Sequence, residues 1–415
     1  MLVGTLDTKG DEYEFVRRCL TEFGVDTLLI DAGILGPPRA NPDISRAEVA
    51  QAAGLDLSTL VDGGDRGGAI DAMARGATAI VTRLHDEGRL DGIIGLGGSG
   101  GSTLIGAVMR ALPVGVPKVL VSTVAIGDTR AYVGSADVMM LYPVVDIAGI
   151  NRVSAQILTN AAAAIAGMAK ARTSYRPLQT GRPLIAATMF GVTTPCVTVA
   201  RERLEELGYE VLVFHATGAG GDAMEALVRS GLVQGVLDIT TTELADTLAG
   251  GVCAAGPDRL AAAGEVGIPQ VVSLGALDMV NFGPMETVPD RYAGRQFHRH
   301  NAAVTLMRTT AEECAELGRR IAERLNAARG PVRLFMPLRG VSMIATEDQP
   351  FHDPIADAAL FDALRRYLEP KVELHAFDTD INDPAFARAM ADALHACMGA
   401  TAMGGTVGED TRAHP

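Results

Sequence analysis

Short runs of Val, Ile and Leu alternate along the chain with longer stretches whose apolar positions recur at helical spacing. The runs are too continuous for strands with one wet face, and suit strands buried on both sides. The longer stretches suit helices that lay one face on a sheet. "LVGTL" (2–6) reads as a strand, and Tyr13, Phe15, Val16, Cys19, Leu20 and Phe23 follow at helical spacing. "VDTLLIDAG" (25–33) is the next strand, ending at Asp31. A loop holding "GPPRANPD" and a helix over about 67–87 lead to "LDGIIGLGGSGGS" (90–102). "VPKVLVSTVA", "DVMMLYPVVD" and an alanine-rich helix from about Asn151 complete a first unit. Alternation of this kind predicts an α/β fold with open, mostly parallel sheets.

"ARTSYRPLQTGRP" (171–183) is of mixed polarity and reads as a linker. Beyond it, "LIAATMFGVTTPCVTVARERLEELGYEVLVFHATG" (184–218) repeats the strand–loop–helix–strand plan of the start. "VQGVLDITTTE" then corresponds to "LDGIIGLGGSGG", and "IPQVVSLGALD" to "VPKVLVSTVA". Identity between the halves is low, so the repeat is one of architecture. The expected domains are residues 1–175 and 183–400, with a frayed polar tail over 401–415. The second is extended by "PVRLFMPLRG" and "KVELHAF" with their helices.

Composition narrows the classes. The chain has 415 residues, 47 of them glycine, no tryptophan and a net charge of −14. Its overall field repels nucleic acid and anionic membrane, and neither is expected as a partner. Five scattered cysteines with no CxxC pair read as reduced and cytosolic. The chain opens directly on a strand-like run rather than a signal peptide, and its most apolar helix, about 155–168, is too short to span a bilayer. A soluble cytoplasmic protein is the expectation.

In an open α/β sheet, ligands collect beyond the carboxyl ends of the strands. Four loops of the first unit leave such ends: "DTKG" (7–10), "DAG" (31–33), "GGSGGST" (97–103) and "STVAIGDT" (122–129). Glycines in "GLGGSGGST" let main chain approach a phosphate closely, and the helix start behind them is electropositive. The alternative is a tight turn needing glycine only for backbone freedom. Gly95, Gly97 and Gly100 satisfy GxGxxG, but no acidic residue follows at the spacing that holds a ribose, and no GK[ST] follows either. The dinucleotide and Walker patterns both fail.

Lys9 stands where a helix begins, an unfavourable place for a cation unless an anion offsets it. Asp31 ends the second strand, where Rossmann-like units keep a ribose-binding carboxylate. With the glycine loop, these residues favour a nucleotide. Arg66 would clamp a phosphate or pair with Asp62, and Asp128 and Arg130 are similarly ambiguous. Ser122 and Thr123 would donate hydroxyls to a phosphate or cap local backbone.

The second unit has its own polar loops: "FGVTTP", "FHATGAGG", "TTTE" (Thr240, Thr241, Thr242, Glu243) and "LGALDMVNFGP". "HRHN" adds His298 and His300, and "PLRG" adds Arg339. His-x-His puts both rings on one side of an extended segment, which suits a metal with His215, Glu243 or Asp278 as third ligand. A general acid/base pair or a substrate-anion site is the stronger expectation. Its catalytic candidates are His298, His300 and Glu243, its substrate contacts Thr241, Thr242 and Arg339, and the metal question stays open. Neither GxSxG nor HExxH occurs.

"VGTLDTKG", "GLGGSGGST", "STVAIGDT", "DIAGINRVS", "ATMFGVTTPCV", "FHATGAGG", "LDITTTE", "LGALDMVNFG", "HRHN", "PLRG" and "INDPAFA" together resemble the Tm-one-like ATP-binding domain family. The likeness runs from Leu2 to about Ala400. It implies two Rossmann-like three-layer subdomains, an ATP site in the first and a homodimer. Carried over by motif, the nucleotide site would use Asp7, Thr8, Lys9, Gly97, Gly98, Ser99, Gly100, Gly101, Ser102, Thr103, Ser122 and Thr123, with Asp31 and Arg66 beside them. The chain departs from the family pattern at Ile126 and at Asp380. Three readings follow. The first is an ATP-binding metabolic enzyme acting on a small anionic substrate, with Mg²⁺ if phosphoryl groups are transferred. The second is an ATP-sensing regulatory module. The third is an ATP-independent hydrolase or lyase in the second unit.

Overall fold

The apolar runs of the first half become β1 (Leu2–Gly4), β2 (Leu29–Asp31), β3 (Ile93–Gly97) and β4 (Lys118–Ser122), each buried along its length, with β5 (Met139–Leu141) at the edge. All pair in parallel, in the order β2-β1-β3-β4-β5. The structure is a computed structural model and describes residues 1–175 and 181–404. Two compact units divide the chain, Met1–Leu178 and Gln179–Pro415.

On one face of the first sheet lie α1 (Leu6–Glu22) and α7 (Arg152–Ser174), which bury Tyr13, Val16, Leu158, Ala162 and Ile165. On the other lie α4 (Arg66–Asp86) and α5 (Ser99–Arg110), with Met73, Ala77, Val81, Ile105 and Val108 inside. The result is a three-layer α/β unit. The apolar face of α7 that suggested self-association is thus covered within one chain. Short helices α2 (Arg46–Ala52), α3 (Leu57–Asp62) and α6 (Arg130–Val133) were not anticipated from the pattern. Each is under two turns or barely over, too short to show a period.

β1 and β3 are partners only at Leu2–Ile94. Above that point the Tyr13 hydroxyl stands between them, 2.6 Å from the Val3 carbonyl and accepting the Leu96 N–H at 2.7 Å. Gly4 makes this approach possible, since a Cβ there would lie 1.9 Å from the hydroxyl oxygen.

In the second unit β6 (Leu184–Met189), β7 (Glu210–His215), β8 (Gly235–Thr240), β9 (Gln270–Gly275), β13 (Val332–Pro337) and β14 (Glu373–Phe377) form a parallel sheet. Its order is β14-β13-β9-β8-β6-β7. Read from β6, the first four strands repeat the order of β1 to β4, so the repeat seen in the sequence is one of strand topology. The antiparallel sheet of β10 (Met279–Phe282), β12 (Thr305–Arg308) and β11 (Phe297–Arg299) was not expected. The linker expected over 171–183 begins later, because α7 continues to Ser174, and residues 176–180 lie outside the described residues. The last helix, α14 (Pro384–Gly404), enters the expected tail, whose remainder also lies outside them.

Arg259 organises the interior between β8 and the helices on its face. It is 1% exposed and meets three buried carboxylates: Glu225, Asp238 and Glu243. Asp238 also accepts from the Thr188 hydroxyl, Glu225 from Leu260 N and Ala262 N, and Glu243 from Gly218 N and Gly221 N. Burial pushes Glu225 and Glu243 up from the ordinary carboxylate range, while Arg259 pulls both down. Removing the guanidinium leaves three buried charges facing one another. Arg259→Leu is expected to destabilise the second unit by about 3–5 kcal/mol in urea denaturation.

Two further buried carboxyls give this unit a pH signature. Burial pushes Asp278 up to about 6 and Asp246 up to about 7. Both bind protons more tightly folded than unfolded, so their contribution is complete below the unfolded value of 3.8 and is lost as pH rises through 6 to 7. The melting temperature should therefore decline from about pH 4 to 8, and Asp278→Asn should flatten that decline in scanning calorimetry.

Candidate functional site

The chain leaves β1 for α1 on one face and leaves β3 for α5 on the other, so the two loops turn apart and a crevice opens between them. A cavity of about 330 Å³ fills it. Thr5, Asp7, Thr8 and Lys9 come from the end of β1, and Ala32, Ile34 and Leu35 from beyond β2. Arg66 and Ile70 enter from the start of α4, Gly98, Ser99, Gly100, Gly101 and Leu104 from the start of α5, and Asp146 completes the wall. A cavity of about 400 Å³ at the opposite, strand-entry end is lined by Met1, Leu28, Asp91 and Lys170 among others, and lacks the glycine loop. The carboxyl end is the one with chemistry.

Helix α5 starts at Gly98 with no side-chain cap and no acidic residue in its first turn. Its leading N–H groups therefore meet no capping side chain, and the helix dipole is uncompensated there. Cβ atoms built at Gly98 and Gly101 would find their nearest neighbours at 3.7 Å, so space stands open above the loop. Gly97 differs, because a Cβ there would press on Ser102 N at 2.8 Å. It serves the turn itself.

Lys9 has non-helical backbone angles (φ −130°, ψ 22°) inside α1, which begins three residues earlier than its position suggested. Its ammonium donates to the Ile147 carbonyl at 2.7 Å, leaving two of its three N–H groups for another acceptor. Arg66 is exposed, and among the described residues it forms no ion pair. The alternative partner Asp62 has no described side chain. Asp7, 7% exposed, accepts from Leu35 N at 2.6 Å with one oxygen, and its other oxygen has no hydrogen-bond partner.

Other residues expected here do structural work. Asp31 is fully buried and accepts from Leu6 N and Gly33 N. Burial pushes it up from the carboxylate range, against those two bonds. Ser102 and Ser122 are buried and share a hydrogen bond of 2.6 Å that ties α5 to the end of β4. The Thr103 hydroxyl bonds back to Ser99 O, and Thr123 N donates to Gly97 O. Asp128 and Arg130 pair with each other on the surface, and Arg130 holds the Asp128 carboxyl down at about 2.

A family model described as "Uncharacterised protein family (UPF0261) N-terminal domain" matches residues 1–174, and its C-terminal counterpart matches residues 182–398. The chain belongs to the UPF0261 family. It is 52% identical to a UPF0261 protein of Clostridium tetani, over 95% of this chain and 97% of that one. A second UPF0261 protein, from Rhizobium meliloti, is 48% identical over 94% of this chain and 96% of its own length. The tomato ToMV resistance protein Tm-1(GCR237) is 43% identical over 94% of this chain, which spans 55% of that protein. The resemblance drawn from the motifs therefore holds at the level of the family.

The C-terminal UPF0261 domain does not assemble its candidates into one site. Glu243 is consumed by Arg259 and by two backbone N–H groups. Thr241 donates to Ser273 O, and Thr242 is fully buried with its hydroxyl unpartnered. Arg339 pairs with Asp378 through two bonds of 2.6 and 2.7 Å, both residues being exposed. His298 lies edge-on to Phe351, and His300 is exposed beyond β11. Among the described residues no hydrogen bond joins these groups to one another, and no set of three His, Cys, Asp or Glu residues is placed to hold a metal.

Sequence reading missed Arg259, which sits unremarkably in "GPDRLAAAG", and missed Asp146, Ile34, Leu35, Ile70 and Leu104 around the cavity. Asp238 gave the one usable signal, a charge inside the apolar run "VQGVLDIT".

The glycine loop separates packing from ligand space. Gly97→Ala should destabilise the first unit, because backbone atoms cannot move aside. Gly101→Ala, with its nearest atom at 3.7 Å, should be neutral or raise stability by up to about 1 kcal/mol, since alanine favours helix. Urea denaturation of both variants checks this.

Proposed function

We propose that this UPF0261 chain binds ATP in the first-unit cavity, with the phosphates on the first turn of α5. The uncapped start of α5, with Lys9 and Arg66 lining the same cavity, carries this reading. Backbone N–H groups at a helix start, open space above glycine and two cations suit a polyphosphate. The choice of adenine rests on the family resemblance. Mg²⁺, where present, would ride on the phosphates, since no group of three ligating side chains forms among the described residues.

A binding or regulatory role is favoured over a metabolic enzyme using His298, His300 and Glu243. The observation behind this is the engagement of Glu243 by Arg259 and of Arg339 by Asp378. A general base must reach its proton, and a buried carboxylate with both oxygens occupied is poorly placed to do so. A cytoplasmic location and a homodimer go with this reading, the first supported by the scattered cysteines and the second by the resemblance. Among the described residues no helix is long and apolar enough to cross a membrane.

Millimolar ATP should raise the melting temperature, and NAD should do so less. Lys9→Ala should weaken ATP binding by about 1–3 kcal/mol in calorimetric titration, the scale of a charge-assisted bond. The empty variant should lose at most about 1 kcal/mol of stability, because only the bond to Ile147 O goes. Unchanged ATP affinity would remove the phosphate role of Lys9, and a response to NAD alone would overturn the nucleotide assignment.

A further inference from the structure

The cavity has two unlike halves. Around Lys9 and the glycine loop it is polar. Toward β2 it is walled by Ile34, Leu35 and Ile70, and Leu35 is 62% exposed at the end of a loop that would otherwise gain nothing by presenting it. That loop is fastened to the site. Leu35 N donates to one oxygen of Asp7 at 2.6 Å, and Gly33 lets the Asp7 carboxyl lie against the backbone, where a Cβ would come within 2.7 Å of it. The second Asp7 oxygen is buried without a donor, and a buried acceptor in that state calls for one. Ile70 reaches over the phosphate half, 3.4 Å from a Cβ built at Gly100.

We propose that the loop beyond β2 is the nucleoside subsite, with Leu35 and Ile70 flanking the base and the free oxygen of Asp7 accepting a ribose hydroxyl. This rests on the nucleotide reading of the cavity and adds which residues tell a nucleotide from a bare polyphosphate. Asp31, at the strand end where such a carboxylate is usually sought, is spent on Leu6 N and Gly33 N and does not line the cavity. Its unpartnered oxygen lies inside the fold. Asp7 reaches the same loop from β1 and takes that place. A carboxylate suits a ribose better than a phosphate, because it accepts from hydroxyls and repels phosphate oxygens.

The test is calorimetric titration of wild type, Leu35→Ser, Asp7→Ala and Asp7→Asn with four ligands: ATP, 2′-deoxy-ATP, 3′-deoxy-ATP and inorganic tripolyphosphate. Leu35 is exposed, so its variant should fold like the parent, and melting curves of the Asp7 variants report any loosening of the loop. Leu35→Ser should weaken ATP about tenfold while leaving tripolyphosphate unchanged. Wild type should prefer ATP over at least one deoxy form by about 10- to 100-fold, and Asp7→Ala should bring that ratio close to one. The ratio is insensitive to a loop that merely loosens, because both nucleotides would suffer alike. Wild-type protein that binds tripolyphosphate as tightly as ATP, or that ignores loss of either hydroxyl, overturns the subsite while leaving the anion site standing. A deoxy ratio that survives Asp7→Ala overturns the role of Asp7. Wild type that binds none of the four ligands overturns the nucleotide reading and this subsite with it.

Discussion

The first unit depends on how two adjacent strands are held apart. Beyond Leu2 and Ile94, β1 and β3 no longer share a ladder, which would strand a buried C=O and N–H facing one another across a gap. The Tyr13 hydroxyl serves both, because a phenol is donor and acceptor at once. It arrives from α1, one helical turn or so beyond the loop it helps to open, and Gly4 supplies the space. With the strands parted, the loop after β1 and the glycine loop after β3 diverge to opposite faces. The cavity with Lys9, Asp7 and the start of α5 is a consequence of that divergence.

The second unit meets the same constraint with different residues and reaches a different outcome. Past Ala187–Leu237, β6 and β8 are bridged by the Thr188 hydroxyl, which donates to Asp238 and accepts from Thr240 N. Thr193 then bonds to Thr240 and is itself fully buried, so side chains occupy the crevice. Behind them, Arg259 gathers Glu225, Asp238 and Glu243. Polar residues that follow these strands are turned inward to satisfy one another, and α10 (Glu243–Ala249) begins with a carboxylate where α5 begins with open glycines. One topology thus holds a ligand-sized space in one copy and a salt-bridged interior in the other.

The alternation of apolar runs and helical periods determined the α/β class, the parallel strands and the two-fold repeat, because strand burial and helix amphipathicity are local properties of sequence. The glycine loop was legible for a similar reason: the residues that allow close backbone approach are adjacent in the chain. Which carboxylate faces the cavity was not. Asp7 and Asp31 both sit beside strand ends and differ only in which backbone N–H groups fold back to meet them, a matter of loop path over 32–40 and the placing of α1. The same limit applies to Glu243, whose partner Arg259 lies 16 residues away on a segment with no distinguishing pattern. A charged side chain's role is set by whether its partner is solvent, ligand or another buried charge. Only the tertiary structure assigns that partner, because desolvation and pairing are decided by what packs around the group.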